Sequence, residues 1–195
     1  IGNHSSGKMG YAIADAFAQM GAEVILVSGP TSLEPETSGV KRIDVISAEE
    51  MYRACAEVIE GVDIAVFSAA VADFTPEKKV DKKMKSSKDN LLLQLIPTKD
   101  IAAELGKLKR KDQVFVGFAL ETEKGIEYAT GKLQKKNFDL IVLNTLEDEG
   151  AGFGTNTNKV TMIDKSGNID KFELKLKSEV ASDVVDKTLK LLKHA

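Results

Sequence analysis

Short apolar runs alternate along this chain with longer amphipathic ones. Ile64-Ala65-Val66-Phe67, Val114-Phe115-Val116 and Leu140-Ile141-Val142-Leu143 are apolar without alternation. Runs of this kind fit strands buried on both faces of a parallel sheet, and they predict strands over Asp63–Ser68, Gln113–Ala119 and Asp139–Asn144. Further strands are predicted over Glu23–Ser28, Lys41–Val45, Leu91–Ile96, Lys159–Asp164 and Ile169–Leu176. Helical periodicity predicts Ser6–Met20, Ala48–Glu60, Lys99–Leu108, Glu123–Lys136 and Ser178–Lys193. Strands that alternate with helices define a three-layer, Rossmann-like α/β fold with a mainly parallel sheet. The last two strands flank Lys165-Ser166-Gly167-Asn168 and read as an added antiparallel hairpin.

The first helix is preceded by Gly2-Asn3-His4-Ser5-Ser6-Gly7-Lys8, rich in glycine and hydroxyl groups. Such a loop offers free N–H groups and the positive end of a helix to an anion, with Asn3, Ser5 or Ser6 as candidate caps. Gly2, Gly7 and Lys8 fit part of a P-loop, but Met9 stands where that motif needs a Mg²⁺-binding hydroxyl. In a Rossmann-like unit a strand feeds this loop, so a strand ahead of Ile1 is expected.

At 195 residues the chain is expected to form a single domain over 1–195. A net charge of −3 argues against general nucleic-acid affinity, and no apolar run is long enough for a membrane span. A single cysteine, Cys55, lies in a helical run and reads as a core thiol; no intrachain disulfide is possible, which suits the cytoplasm. With two histidines and one cysteine a zinc site is not expected.

Three further stretches bear on chemistry. Ser68-Ala69-Ala70-Val71-Ala72-Asp73 follows a buried strand, and small residues at a parallel strand's C-terminal end let a ligand approach the backbone. Residues 75–90 are expected to form a flexible flap, and Lys78–Lys88 carries six lysines in eleven residues. A lysine loop of this kind can close over a polyphosphate. Lys132 and Lys136 are spaced to face one ligand, and Tyr128 with Lys132 forms a Tyr-x-x-x-Lys pair. That pair leaves open an NADP-dependent short-chain reductase, since Val27-Ser28-Gly29-Pro30 lacks the acidic residue that holds an NAD ribose.

Taken in order, Asn3-His4-Ser5-Ser6-Gly7-Lys8-Met9-Gly10, Leu26-Val27-Ser28-Gly29-Pro30, Ala69-Ala70-Val71-Ala72-Asp73-Phe74, Lys83-Met84-Lys85, Val116-Gly117-Phe118-Ala119 and Phe153-Gly154-Thr155-Asn156-Thr157-Asn158 carry a family likeness. The chain resembles phosphopantothenate–cysteine ligase (phosphopantothenoylcysteine synthetase), the C-terminal domain of a bacterial bifunctional coenzyme A biosynthesis protein. The resemblance implies attack of the 4′-phosphopantothenate carboxylate on the α-phosphate of CTP. Pyrophosphate leaves, the L-cysteine amine attacks the acyl-cytidylate, and CMP departs. It also implies Mg²⁺ with CTP as co-substrate, a homodimer, and fusion to a flavin-dependent decarboxylase domain; no flavin is expected in this chain.

Residue by residue, the resemblance implies that Asn3 binds the pantothenoyl arm or carbonyl of the acyl-cytidylate and turns it into product. Lys83 is the flap lysine that stabilises charge at the α-phosphate. Phe67, Ser68, Ala69 and Asp73 form the CTP-binding strand end, with Asp73 the candidate Mg²⁺ ligand. Lys99, Asp100, Ile101 and Ala102 are a nucleotide-binding helix start, and Phe118, Lys132 and Lys136 are further CTP contacts. The family's last flap lysine is Ser86 here, and Lys99 stands where relatives commonly have proline. Besides the reductase, a nucleotide-binding module without catalysis is the remaining alternative.

Overall fold

The computed structural model describes residues 5–78, 91–121, 124–145 and 155–193. Helix α1 (Lys8–Gln19) leads into strand β1 (Val24–Ser28), which pairs in parallel with β2 (Val40–Asp44). The connection between them is pinned by Asp15 of α1, whose Oδ1 accepts from the Glu36 and Thr37 N–H groups at 2.9 and 2.8 Å. Helix α2 (Ala48–Val58) starts at Ser47, whose hydroxyl accepts from Glu50 N–H, while the Glu50 carboxylate accepts from Ile46 N–H. Strand β3 (Ile64–Phe67) then leads to a small arm of β4 (Phe74–Pro76) and β5 (Leu95–Pro97), paired antiparallel apart from the main sheet. Helix α3 (Ile101–Gly106), β6 (Val114–Glu121), α4 (Gly125–Lys135) and β7 (Leu140–Thr145) follow. After β8 (Thr157–Asn158) come β9 (Val160–Asp164), β10 (Ile169–Lys171), β11 (Lys175–Leu176) and α5 (Lys177–Leu192).

The main sheet has five strands in the order β10-β9-β7-β6-β3. β3, β6 and β7 are parallel; β9 and β10 extend the sheet as an antiparallel hairpin. Alternate side chains enter two cores. Val114 and Val116 of β6 and Leu140 and Val142 of β7 pack with α1 and α5, whereas Phe115, Ile141 and Leu143 pack with α3 and α4 on the other face. The three-layer expectation therefore holds, and its physical basis is the unbroken apolar runs. Gly117 makes room for the Phe138 ring in the second of these cores: a Cβ there would lie 2.0 Å from that ring.

The end of the sheet away from the C-terminal strand tips is tied by Asp139. Its buried carboxylate accepts from Phe115 N–H at 2.7 Å and pairs with Lys109 and with Lys165. Burial by itself raises a carboxylate's pKa, but the two ammoniums and the Phe115 N–H hold Asp139 below the usual range.

Several boundaries differ from expectation. Of the predicted strand Leu91–Ile96 only Leu95 and Ile96 are in a strand, which runs on to Pro97, and β4 and β8 were not predicted. Leu91, Leu92 and Leu93 are 64%, 95% and 56% exposed, so their apolar character does not serve this chain's core. The predicted strand Ile169–Leu176 splits, because Lys175 and Leu176 turn to pair with β8 instead of β9. Helix α3 is shorter than predicted: Asp100 caps it by accepting from Ala103 N–H, and Gly106 abuts Lys136, whose carbonyl a Cβ would meet at 2.3 Å. Among the described residues no helix is long and apolar enough to cross a membrane.

One feature of the topology positions the site. Among the described residues β1 pairs with β2 alone, and β3 has a ladder partner on one side alone, β6. Helix α1 lies across both strand ends: the Tyr11 hydroxyl donates to Ser28 Oγ at 3.0 Å, and a Cβ on Gly10 would sit 2.8 Å from Ser68 Oγ. Ile25 of β1 is 40% exposed and all of β3 is half-buried, whereas Val114–Gly117 of β6 is buried throughout.

Candidate functional site

A cavity of about 1000 Å³ opens over the C-terminal ends of β1, β3 and β6. The glycine-rich loop and first turn of α1 form one wall, and Ser68–Phe74 after β3 forms another. The N-cap of helix α1 is Gly7, which has φ +79°, and among the described residues no side chain caps the helix. Ser5 and Ser6 are therefore not caps, contrary to expectation. They line the cavity beside the first-turn N–H groups instead. The left-handed turn at Gly7 is open to glycine and strained for other residues.

The predicted site residues divide into three sets. Ser68, Ala69, Asp73, Phe118 and Lys132 all line the cavity. Asp73 is exposed there, and its carbonyl accepts from Thr98 N–H at 2.8 Å, which joins the strand end to the segment before α3. Lys132 reaches Glu121 in an ion pair at the end of β6.

Phe67, Lys99, Asp100, Ile101, Ala102 and Lys136 form the second set and are not among the cavity-lining residues. The Phe67 ring packs on Phe115 and Phe138 at centroid distances of 5.3 and 5.4 Å, so its side chain belongs to the core. Ile101 is buried in the same core. Lys99 Nζ stands 3.8 Å from the Tyr52 ring centroid and 3.4 Å from Glu49. Lys136 pairs with Asp100 at 3.0 Å, and Lys136 with other groups holds the Asp100 carboxyl below its usual pKa against the opposing effect of burial. Asp100 is thus both a helix cap and an ion-pair partner. Asn3 and Lys83, with most of the expected flap, lie outside the described residues.

The structure adds Asn144, Asn158 and Lys177, to which sequence reasoning gave no role. They line the cavity together with Lys8 and Lys132. Asn158 was visible within Thr155-Asn156-Thr157-Asn158, but Lys177 carried no local signal because the predicted helix began one residue later. Tyr128 is 54% exposed on α4 and is not on the cavity wall, so the Tyr128–Lys132 pair does not assemble a reductase site. Cys55 is also away from the cavity, and burial pushes its thiol up to about 11, in line with a core thiol. Among the described residues no three His, Cys, Asp or Glu side chains cluster to hold a metal ion.

A parallel sheet whose strand tips open on a glycine-rich helix start and a cavity lined in part by lysines defines a Rossmann-like α/β domain. The chain belongs to the DNA/pantothenate metabolism flavoprotein C-terminal domain family, whose profile matches residues 1–192. It is 57% identical over 192 residues to a cysteine/cysteine sulfinic acid decarboxylase from an unknown prokaryotic organism, covering 98% of this chain and 54% of that protein. It is 44% identical over 192 residues to the coenzyme A biosynthesis bifunctional protein CoaBC of Bacillus subtilis (strain 168), covering 98% and 47% respectively. The crystal structure of the C-terminal domain of a CoaBC protein superposes with a TM-score of 0.81 at 39% identity, covering 98% of this chain and 85% of that one. The chain spans about half the length of these two curated relatives.

Proposed function

We propose that this chain joins 4′-phosphopantothenate to L-cysteine at the expense of CTP. The carboxylate oxygen of 4′-phosphopantothenate attacks the α-phosphorus, the bond to pyrophosphate breaks, and an acyl-cytidylate forms. The cysteine nitrogen then attacks the acyl carbon and CMP leaves. The observation that carries this reading is the cavity at the strand tips, which brings a small-residue backbone, Asp73 and Lys132 to one wall and the uncapped start of α1 to another. Two phosphorylated substrates need two such anion-binding walls. Family membership and likeness to the C-terminal domain of CoaBC support it. The decarboxylase name of one relative belongs to a protein of which this chain spans 54%.

In this reading Ser68 and Ala69 admit the nucleotide to the strand end, Lys132 leaves Glu121 for a phosphate oxygen, and Lys83 closes from the flap onto the α-phosphate. Asn3 holds the acyl-cytidylate for the cysteine amine. Phe67, Lys99, Ile101 and Ala102 act through backbone and packing, and Lys136 through its pair with Asp100. A lone exposed carboxylate suits Mg²⁺, which keeps several waters and binds through one carboxylate and the substrate phosphates; Asp73 is that carboxylate.

The same reading makes the chain the ligase half of a cytoplasmic bifunctional protein, fused to a flavin-dependent decarboxylase. It also fills the gap between β1 and β3 with a parallel strand feeding the glycine-rich loop, because both strands have unpaired edges there among the described residues. The β4–β5 arm, with Phe74, Leu95 and Ile96 exposed, then meets a second copy of the chain.

The test is pyrophosphate release with 4′-phosphopantothenate and either CTP or ATP, on the chain extended by the preceding strand. CTP-selective release followed by cysteine-dependent product formation is expected. CTP binding without turnover would instead indicate a binding module, and no response to either nucleotide overturns the reading.

A further inference from the structure

Lys132 is the lysine of α4 that lines the cavity, and its charge is already matched there. Its Nζ donates at 2.5 Å to Oε1 of Glu121, eleven residues back at the last position of β6. Side chains of a helix lean toward its N-terminus, so a lysine two turns into α4 reaches back to the strand that feeds the helix. Gly125, the first residue of α4, permits this seating: a Cβ there would meet Leu143 at 3.2 Å and the Glu121 Cβ at 3.5 Å. Glu121 is not among the cavity-lining residues, and its side chain is 18% exposed against 44% for Lys132. The carboxylate is therefore the fixed partner, and the ammonium on its flexible stem the movable one. Lys136, one turn further along, is held by Asp100 instead and does not line the cavity.

An anion that enters the cavity and takes up Lys132 has to draw it off this carboxylate. Glu121 is then left largely shielded from water, without its cation and near a new negative charge. Desolvation and like-charge repulsion both oppose that arrangement. We infer that Glu121 is an internal competitor for Lys132: it holds the ammonium while the cavity is empty, weakens the bound forms in which a phosphate has captured it, and takes it back as pyrophosphate departs. Glu121 is thus a positioning residue that acts through Lys132. Weaker binding of triphosphate and pyrophosphate has a kinetic use. Tight binding of ground state and transition state alike does not raise kcat, and product release limits many enzymes. The inference rests on the proposed ligase reading, in that it takes nucleotide phosphates as the anions.

The test is calorimetric titration of the intact protein with CTP and with pyrophosphate, in wild type, Glu121→Gln and Glu121→Asp. Glu121→Gln should bind both ligands roughly three- to tenfold more tightly, the gain from releasing Lys132 from a partly exposed ion pair. Pyrophosphate should become a stronger product inhibitor by the same factor. Glu121→Asp keeps the charge but shortens the reach to Lys132 by one methylene, so it should bring a gain of the same sign. Lys132→Gln should instead weaken both ligands by about tenfold, the loss of one charge-assisted contact. A variant that merely damages the fold loses affinity and does not gain it. Unchanged or weaker CTP binding in Glu121→Gln overturns the inference. So does a gain confined to Glu121→Gln, which would mark a general negative field and not competition for Lys132. Binding needs no turnover, so a wild type that binds CTP and releases no pyrophosphate loses the ligase reading alone, and the affinities still decide on Glu121. If neither CTP nor pyrophosphate binds to wild type or to Glu121→Gln, the inference falls as well.

Discussion

Asp139→Asn is the sharpest test of how this sheet is held. The carboxylate is 3% exposed and the Lys109 side chain 7%, so the substitution leaves a buried ammonium beside a neutral amide. Breaking a buried pair from one side costs about 3–5 kcal/mol. Lys165 adds little, since its side chain is 60% exposed. Asparagine keeps one oxygen for the Phe115 N–H, which favours the lower end, about 3 kcal/mol. For a chain of this size that corresponds to a fall in Tm of roughly 6–12 °C. Thermal and urea denaturation at pH 7 measure it, with Lys109→Met and the double variant completing a cycle. Because Asp139 is held below its ordinary pKa when folded, its contribution is full above the unfolded-state value near 3.9. It is lost as pH falls through the lower folded value. A loss under about 1 kcal/mol at pH 7, or a variant whose deficit grows on acidification, would refute this account.

Gly117→Ala forces a methyl to within 2.0 Å of the Phe138 ring and should destabilise by about 1–3 kcal/mol, read as a lower urea midpoint at unchanged slope. Cys55, with its thiol raised to about 11, should resist a thiol reagent at pH 8 in folded protein and react on unfolding; rapid native labelling would contradict the burial argument. Leu92→Lys and Ile96→Lys in the exposed arm region should shift the protein from dimer to monomer in light scattering. A monomeric wild type at micromolar concentration would remove the basis for that interface.

The two-faced apolar runs made the three parallel strands legible, because strands covered on both sides need no alternation to reveal them. The cavity wall was legible where it coincides with a strand tip, as at Ser68–Asp73, whereas helical spacing paired Lys132 with Lys136 and only Lys132 lines the cavity. It was not legible where tertiary contacts decide. Leu91–Leu93 reads as strand by composition yet is exposed, and Ser5 and Ser6 look like caps although the turn is made by Gly7. Lys177 reaches the cavity only because α5 packs along α1, a juxtaposition of residues far apart in the chain. Likewise Phe67 looked like a ligand contact from its place in a motif, but its ring is claimed by Phe115 and Phe138.

The unpaired edges of β1 and β3 also bear on cooperativity. In this chain the β1–β2 pair shares no ladder hydrogen bond with the five-stranded sheet among the described residues. Its opening therefore breaks helix packing and the Tyr11 and Asp15 hydrogen bonds but no ladder of the main sheet among the described residues, and hydrogen exchange in β1 and β2 should run ahead of exchange in β6 and β7 as a separate folding unit. The cavity draws walls from both units, Leu26–Ser28 from one and Ser68–Phe74 from the other. A molecule seated there acts as a staple across the split. Its binding free energy appears as protection of β1 and β2, growing with the logarithm of its concentration.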